Sequence, residues 1–260
     1  MKLADVYAKI DGAYPKKLSD EYVAAFGGHD NSGILIDTGA DIQGAVFSLD
    51  LSEGAIACAK ARGANLIVTH HPAIFFPVSR LSVEDPVGAR LIACVQGGIS
   101  VVSMHLNLDC APEGIDMWLA KGIGCKTDVA PLECTDGGGY GRIYEIEPCS
   151  FAAFGERLKR EFSATRLLTY GKEGKIGRVA SFCGAGVDAS AVAAAKRCGA
   201  DVIVSSDVKH NFICDILESG MRLAVLTHYA GENYGFKKIY QSLCGKLGVP
   251  AAYYEDGFML

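Results

Sequence analysis

Hydrophobic residues in this chain form short unbroken runs separated by Ala-rich stretches, a pattern typical of buried parallel strands joined by helices. Residues 44–49 (GAVFSL) and 64–68 (ANLIV) are two such runs. Between them, Ser52 is a candidate helix N-cap and Gly63 a candidate helix end. Residues 44–71 therefore predict a strand–helix–strand unit.

The same order of elements recurs later in the chain. Residues 56–63 align without a gap with residues 192–199, and the strand at 64–68 aligns with residues 200–204. Chance similarity between Ala-rich helices is an alternative, but the continuous register favours an internal duplication. We therefore expect an α/β fold with two similar α/β lobes, each with its own sheet.

The two copies differ at the end of the second strand. The first copy continues into His70-His71, whereas the second continues into Ser206-Asp207. A run of glycines at 137–139 precedes an alternating strand at 142–146, which predicts a linker near residues 126–138.

Composition narrows the function classes. The chain has 260 residues, half of them hydrophobic, and a formal net charge of −5 without a Lys/Arg cluster, so nucleic-acid binding is not favoured. No apolar stretch approaches the roughly 18 residues of a membrane helix, and we expect a cytoplasmic protein. Its ten cysteines are scattered without a Cys-x-x-Cys pair, which favours reduced thiols over disulfides or structural zinc.

Three apolar runs end in side chains that can bind metal ions. These candidates are His70 and His71 after residues 64–68, His105 and Asp109 after a run ending at Ser103, and His228 and Glu232 after residues 222–226. A single histidine at a strand end is more often a packing residue than a ligand, but three converging segments favour a metal site.

The spacing of these residues suggests two ions. His228 and Glu232 are four apart, so on a helix they share one face and can reach one metal centre. His70 and His71 are adjacent and point to opposite faces of a strand, so they more naturally bind different ions. With Asp109 or Glu232 as a bridge, this predicts a two-metal site of mixed nitrogen and oxygen ligands.

A competing interpretation concerns the glycines of residues 183–189 (CGAGVDA). Gly184, Gly186 and Ala189 match the Gly-x-Gly-x-x-Ala loop of dinucleotide-binding folds, between a predicted strand and helix. Such loops are also ordinary strand-to-helix turns, and we expect no dinucleotide cofactor here.

Several segments, in the right order, resemble the signature motifs of the NGG-one-interacting-factor-three-like family, also called GTP cyclohydrolase I type 2 homologs. They are residues 63–72 with Thr69-His70-His71-Pro72, His105-Leu106-Asn107-Leu108-Asp109, Gly139-Tyr140-Gly141-Arg142, residues 205–210 (SSDVKH), and His228-Tyr229-Ala230-Gly231-Glu232. The resemblance covers nearly the whole chain.

The resemblance implies two divalent metal ions, Zn, Fe or Mn, held by His70, His71, Asp109, His228 and Glu232. It implies two similar α/β lobes, with the last strand and helix returning to the first, so that residues 1–128 plus 222–260 form the metal-binding lobe and 129–221 the second. It also implies a homo-oligomer, a hexameric ring. Two departures affect the pocket wall: His29-Asp30-Asn31 stands where relatives usually have Trp-Asp-Asn, and Leu106 where they usually have Thr.

The expected function is metal-dependent hydrolysis of a nucleotide or other small molecule, with His105 or His210 as general acid or base. For both histidines the alternative is support of the ligands or packing. GTP is implied by the family name alone, since the chain has no Gly-x-x-x-x-Gly-Lys-Ser/Thr loop. The alternative function is a metal-handling or regulatory protein without turnover.

Overall fold

The computed structural model describes residues 1–126 and 128–259. The strands are β1 (Gly33–Ile36), β2 (Ala45–Ser48), β3 (Leu66–Thr69), β4 (Ser100–Ser103), β5 (Ala130–Thr135), β6 (Gly138–Ser150), β7 (Leu167–Tyr170), β8 (Lys175–Ser181), β9 (Val202–Ser205), β10 (Arg222–Leu226) and β11 (Ala251–Tyr253). The helices are α1 (Leu3–Ala13), α2 (Lys17–Phe26), α3 (Glu53–Ala61), α4 (Pro86–Gln96), α5 (Leu106–Cys110), α6 (Ile115–Ile123), α7 (Phe151–Glu161), α8 (Ala189–Arg197), α9 (His210–Glu218) and α10 (His228–Leu243).

The chain divides into two compact units. The first contains Met1–Leu108 and Phe236–Gly257, and the second contains Asp109–Gly235 and the residues from Phe258. Both internal divisions fall inside helices, α5 and α10. The first unit is therefore built from two separate stretches of sequence.

The first unit contains a sheet with the strand order β1-β4-β3-β2-β11. Strands β2, β3 and β4 are parallel and every residue in them is buried, as expected for apolar strands covered on both faces. The Ser52 side chain accepts a hydrogen bond from the Ala55 amide, and Gly63 has a positive φ of 63° just beyond α3. The predicted strand–helix–strand unit is confirmed, with its cap and its terminating glycine.

The second unit repeats this arrangement in a sheet ordered β5-β6-β8-β9-β10-β7. Strands β8 and β9 are parallel and joined by α8. Asp188 caps α8 by accepting a hydrogen bond from the Ala191 amide, and Gly199 has a φ of 70° beyond its end. The two-sheet α/β fold and its repeated unit are thus confirmed.

Residues 130–135, within the predicted linker, instead form strand β5, which pairs antiparallel with β6. The turn at Asp136-Gly137 joins the two strands, a dipeptide favoured in tight hairpins. Pro131 is tolerated because β5 lies at the edge of its sheet.

Strand β10 also differs from the expected arrangement, which placed residues 222–260 in the first lobe. It pairs in parallel with β9 and antiparallel with β7, both in the second sheet. The order β9-α9-β10 is a further strand–helix–strand crossover, which favours neighbouring parallel strands in one sheet. The strand from this region that joins the first sheet is β11, parallel to β2.

No helix in the described part of the chain combines the length and apolar character that a membrane-spanning helix needs.

Candidate metal centre

Three imidazoles of the first unit cluster where two neighbouring strands end. His70 and His71 directly follow β3, and His105 lies between β4 and α5. Parallel pairing of Thr69 with Ser103 makes these strand ends coincide. The ring centroids are 4.8 Å apart for His70 and His71, 5.2 Å for His70 and His105, and 6.0 Å for His71 and His105.

Two carboxylates complete groups that could hold a metal ion. In each group, one ligand atom from every residue lies within 4.8 Å of the others. Among the described residues, the groups are His70, His71 and Glu232, and His70, His105 and Asp109. His70, Asp109 and Glu232 are all buried. His70 belongs to both groups and is the side chain they share.

The imidazoles of His70 and His71 are each fixed through Nδ1. His70 Nδ1 is 2.8 Å from the Met104 carbonyl oxygen, and His71 Nδ1 is 2.7 Å from an Asp50 carboxylate oxygen. Because a carbonyl or carboxylate oxygen accepts, Nδ1 is the protonated nitrogen that donates, and Nε2 carries the lone pair. This is the usual arrangement of a histidine that binds a metal through Nε2.

His105 is held in the same way by a buried carboxylate. Its Nδ1 donates to Asp30 over 2.7 Å, and Asp30 also accepts from the hydroxyls of Ser19 and Ser32. Burial alone raises the pKa of Asp30, but these hydrogen bonds outweigh it and hold the pKa well below its usual range. Asp30 therefore remains an anion that orients His105.

In the second unit, His228 and Glu232 form the predicted pair on the first turns of α10. His228 Nδ1 donates to Asp207 over 2.6 Å, while His228 Nε2 lies 3.0 Å from a Glu232 carboxylate oxygen. Metal–ligand bonds of roughly 2.0–2.2 Å leave neighbouring ligand atoms about 3 Å apart. The Nε2–oxygen separation therefore suits two ligands of one ion.

These residues fit divalent transition metals. Imidazole nitrogens together with carboxylate oxygens suit Zn, Fe and Mn. Each of the four histidines described above has an oxygen acceptor at Nδ1, which selects Nε2 for a metal.

His210 is not a member of either group of described residues. It is the first residue of α9, is exposed, and its Nε2 is 3.8 Å from the Cys214 sulfur. Of the two histidines considered for proton transfer, His105 is the one whose ring lies beside His70 and His71.

The segment His29-Asp30-Asn31 anchors the loop after His71. His29 Nε2 lies 2.7 Å from the Phe75 carbonyl oxygen, and the His29 ring stacks on Phe76 at 5.0 Å. The Asn31 amide donates to the Ile74 carbonyl. The Phe75 ring meets His105 edge-on, so this loop forms an aromatic wall beside His105.

The glycines of the Gly-x-Gly-x-x-Ala segment face protein atoms. A Cβ on Gly184 would lie 2.5 Å from a Glu232 carboxylate oxygen and 3.5 Å from the His228 ring, and one on Gly186 would collide with the Tyr140 ring. Close approach of protein groups therefore accounts for both glycines without a bound phosphate.

The carboxylates that orient the histidines are not among the residues that the sequence predicts as ligands. They are Asp30, Asp50 and Asp207. Asp50 directly follows the apolar run 44–49 that contains β2, so its position past a strand end was a usable signal. Asp207 and Asp30 lie within segments compared with family motifs, but nothing in the sequence pairs them with particular histidines.

Removal of the Asp50 carboxylate tests whether it supports His71. We expect Asp50→Ala to weaken Mn²⁺ binding about 10- to 100-fold, because outer carboxylates fix the ring of a metal-binding histidine. Isothermal titration calorimetry measures the affinity. Asp41→Ala is the matched control: the Asp41 side chain is 51% exposed and pairs with Lys2, while that of Asp50 is 49% exposed. Equal affinities of the two variants would contradict the assigned role.

The sequence of this chain is similar to those of several known proteins. The model of the family described as Duf34/NIF3 (NGG1p interacting factor 3) matches residues 1–253. A Clostridium perfringens protein named GTP cyclohydrolase 1 type 2 homolog is 28% identical over 239 residues, covering 89% of this chain and 87% of the relative. A Lactococcus lactis protein of the same name is 30% identical over 226 residues, covering 85% and 83%.

Solved structures share the fold over nearly the whole chain. The Staphylococcus aureus hypothetical protein SA1388 superposes with a TM-score of 0.86 at 24% identity, covering 98% of this chain and 97% of that protein. Reduced HcgD from Methanocaldococcus jannaschii gives a TM-score of 0.80 at 24% identity, covering 98% of each chain. At this identity the likeness concerns the fold alone, while the family follows from the match over residues 1–253. The chain belongs to the Duf34/NIF3 family.

Proposed function

We propose that this protein binds two divalent metal ions and uses them to hydrolyse a small molecule, such as a nucleotide. The observation that carries the proposal concerns His70, His71, His105 and His228. Each of them donates a hydrogen bond from Nδ1 to an oxygen atom, which leaves Nε2 as the metal-binding nitrogen. The proposed ligands are His70, His71, Asp109, His228 and Glu232. When bound, such ions activate water and polarise the bond under attack.

The chain's own residues have three proposed roles in this reaction. The buried His70, Asp109 and Glu232 hold their donor atoms out of bulk water, which strengthens electrostatic interactions in the site. His105 accepts or delivers a proton at Nε2, and Asp30 fixes its ring and stabilises its protonated form. The aromatic wall of Phe75 and Phe76 borders the substrate.

The assignment of His105 has a direct alternative, because His105 also belongs to the group with His70 and Asp109. If His105 carries a proton, the His105→Ala variant retains wild-type Mn²⁺ affinity and loses turnover. If His105 is a ligand, the same variant loses Mn²⁺ affinity as well. Titration calorimetry beside an activity assay distinguishes these two roles.

Turnover is tested with purified protein loaded with Mn, Fe or Zn and a panel of nucleotides and phosphoesters. We expect metal-stimulated hydrolysis that chelation abolishes and that His70→Ala and Glu232→Ala both lose. Restored activity on adding the metal back to chelated wild-type protein excludes simple denaturation. Stoichiometric metal binding with no turnover across the panel would instead support the metal-handling role.

We also propose that the protein works in the cytoplasm as a homo-oligomer, with the hexamer of its family as the expected assembly. The family membership supports this proposal. Light scattering coupled to size-exclusion chromatography measures the mass against the 27.5 kDa monomer.

A further inference from the structure

The turn at residues 182–184, here called the Cys183 turn, is held by hydrogen bonds from several directions. The Cys183 amide donates to Asp116 over 3.1 Å, and the Tyr140 hydroxyl donates to the Cys183 carbonyl. The Gly184 carbonyl accepts from the Ser205 hydroxyl and the Ser206 amide, both at 3.0 Å. These hydrogen bonds together fix the position of the backbone in the Cys183 turn.

A buried arginine, Arg142, lies against Asp116, the residue that accepts from the Cys183 amide. Arg142 donates to the carbonyls of Gly139 and Gly141, and its guanidinium lies 3.6 Å from the Asp116 carboxylate. Arg142 and Asp116 are both buried, so their electrostatic attraction is only weakly screened. Asp116, which accepts from the Cys183 amide, is thus itself fixed.

The Cys183 thiol reaches from this turn to a proposed metal ligand. Its Sγ–H donates to Asp109 Oδ1 over 3.3 Å, and both residues are almost fully buried, at 2% and 4% exposure. Carboxylates that bind metals are themselves held by hydrogen bonds, and loss of such partners lowers metal affinity. A thiol is a weak donor, so it can orient the carboxylate while leaving most of its negative charge for a cation.

We propose that Cys183 is a positioning residue for the metal centre, which directs the Asp109 carboxylate through its thiol hydrogen bond. The inference rests on the proposed function in one respect, the role of Asp109 as a ligand. It gives the strand-to-helix turn a part in orienting Asp109, without making Cys183 a ligand. Gly184, one residue further, lies against Glu232, so the same short turn borders both carboxylates.

The test compares Cys183→Ala, Cys183→Ser and the control Cys94→Ala. Cys94 is a fully buried thiol in the core formed with Leu91 and Val101, so its replacement makes a similar cavity away from the carboxylates. Mn²⁺ affinity is measured by titration calorimetry, and the visible absorption spectrum of Co²⁺-loaded protein reports on the ligand arrangement. Thermal unfolding without metal measures the general cost of each cavity.

We expect Cys183→Ala to bind Mn²⁺ about tenfold more weakly and to shift the Co²⁺ spectrum. Cys183→Ser restores a donor and should give an intermediate affinity with a spectrum closer to wild type. Cys94→Ala should lower the unfolding temperature while leaving both metal readouts unchanged. This pattern separates positioning of Asp109 from a loss of packing.

Two results would overturn the inference alone: a wild-type Mn²⁺ affinity in Cys183→Ala, or a Cys183→Ser variant that binds no better than Cys183→Ala. Failure of the wild-type protein to bind Mn²⁺ or Co²⁺ would overturn the proposed function and, with it, this inference. The wild-type titration thus distinguishes the two failures.

Discussion

Replacement of His70 by alanine is expected to prevent binding of one of the two metal ions, because the single lone pair at Nε2 of this imidazole can bind one ion. His70 is fully buried and is the residue common to the two groups of candidate ligands. Loss of a supporting hydrogen bond alone costs about 10- to 100-fold in affinity, so loss of the ligand itself should cost more than about 100-fold in the affinity for that ion. Equilibrium dialysis followed by elemental analysis measures the ions bound per chain.

His210→Ala is the matched control for His70→Ala. It removes an exposed imidazole that lies outside both groups of the described residues, so its metal content should equal that of the wild type. Circular dichroism of the metal-free His70→Ala variant checks that the fold persists. A folded variant that retains two ions would show that His70 is not a ligand.

A methyl group added at Gly184 should disrupt both folding stability and metal binding. Gly184 has a φ of 60°, and a side chain in this left-handed region costs about 1–2 kcal/mol of unfolding free energy. Its Cβ would also lie 2.5 Å from the Glu232 carboxylate, which must move away. We therefore expect Gly184→Ala to lose stability beyond the backbone cost and to lose metal binding.

Gly199→Ala isolates the backbone part of this effect. Gly199 has a comparable φ of 70°, and a Cβ there meets nothing within 4 Å among the described residues. The control should lose about 1–2 kcal/mol in urea unfolding and keep wild-type Mn²⁺ affinity. If the two variants bind Mn²⁺ equally well, Gly184 has no role in placing Glu232.

The parts of the fold that could be predicted are those encoded by neighbouring residues. Ser52 and Gly63 mark the two ends of α3 by the local chemistry of capping, and the apolar runs beside them form buried parallel strands. His228 and Glu232 pair because a helix places residues four apart on one face.

The less predictable parts depend on pairings between distant segments. Asp50, Asp30 and Asp207 are recognised only when the fold brings them to particular histidines. Cys183 lies in a predicted strand-to-helix turn, but the hydrogen bond from its thiol to Asp109 joins residues 74 positions apart. The sheet to which β10 belongs is likewise set by its pairing with β7 and β9. The apolar run at 222–226 predicts a strand but does not predict its partners.

The pairing of β11 with β2 has a consequence for the order of events during synthesis. β2 ends at Ser48, whereas β11 lies at Ala251–Tyr253, so the ribosome must translate about 200 further residues after β2 before this pair can form. Until then β2 exposes an unpaired edge, the kind of surface that promotes aggregation. The second sheet contains no strand later than β10, so all of its strands are synthesised before β11.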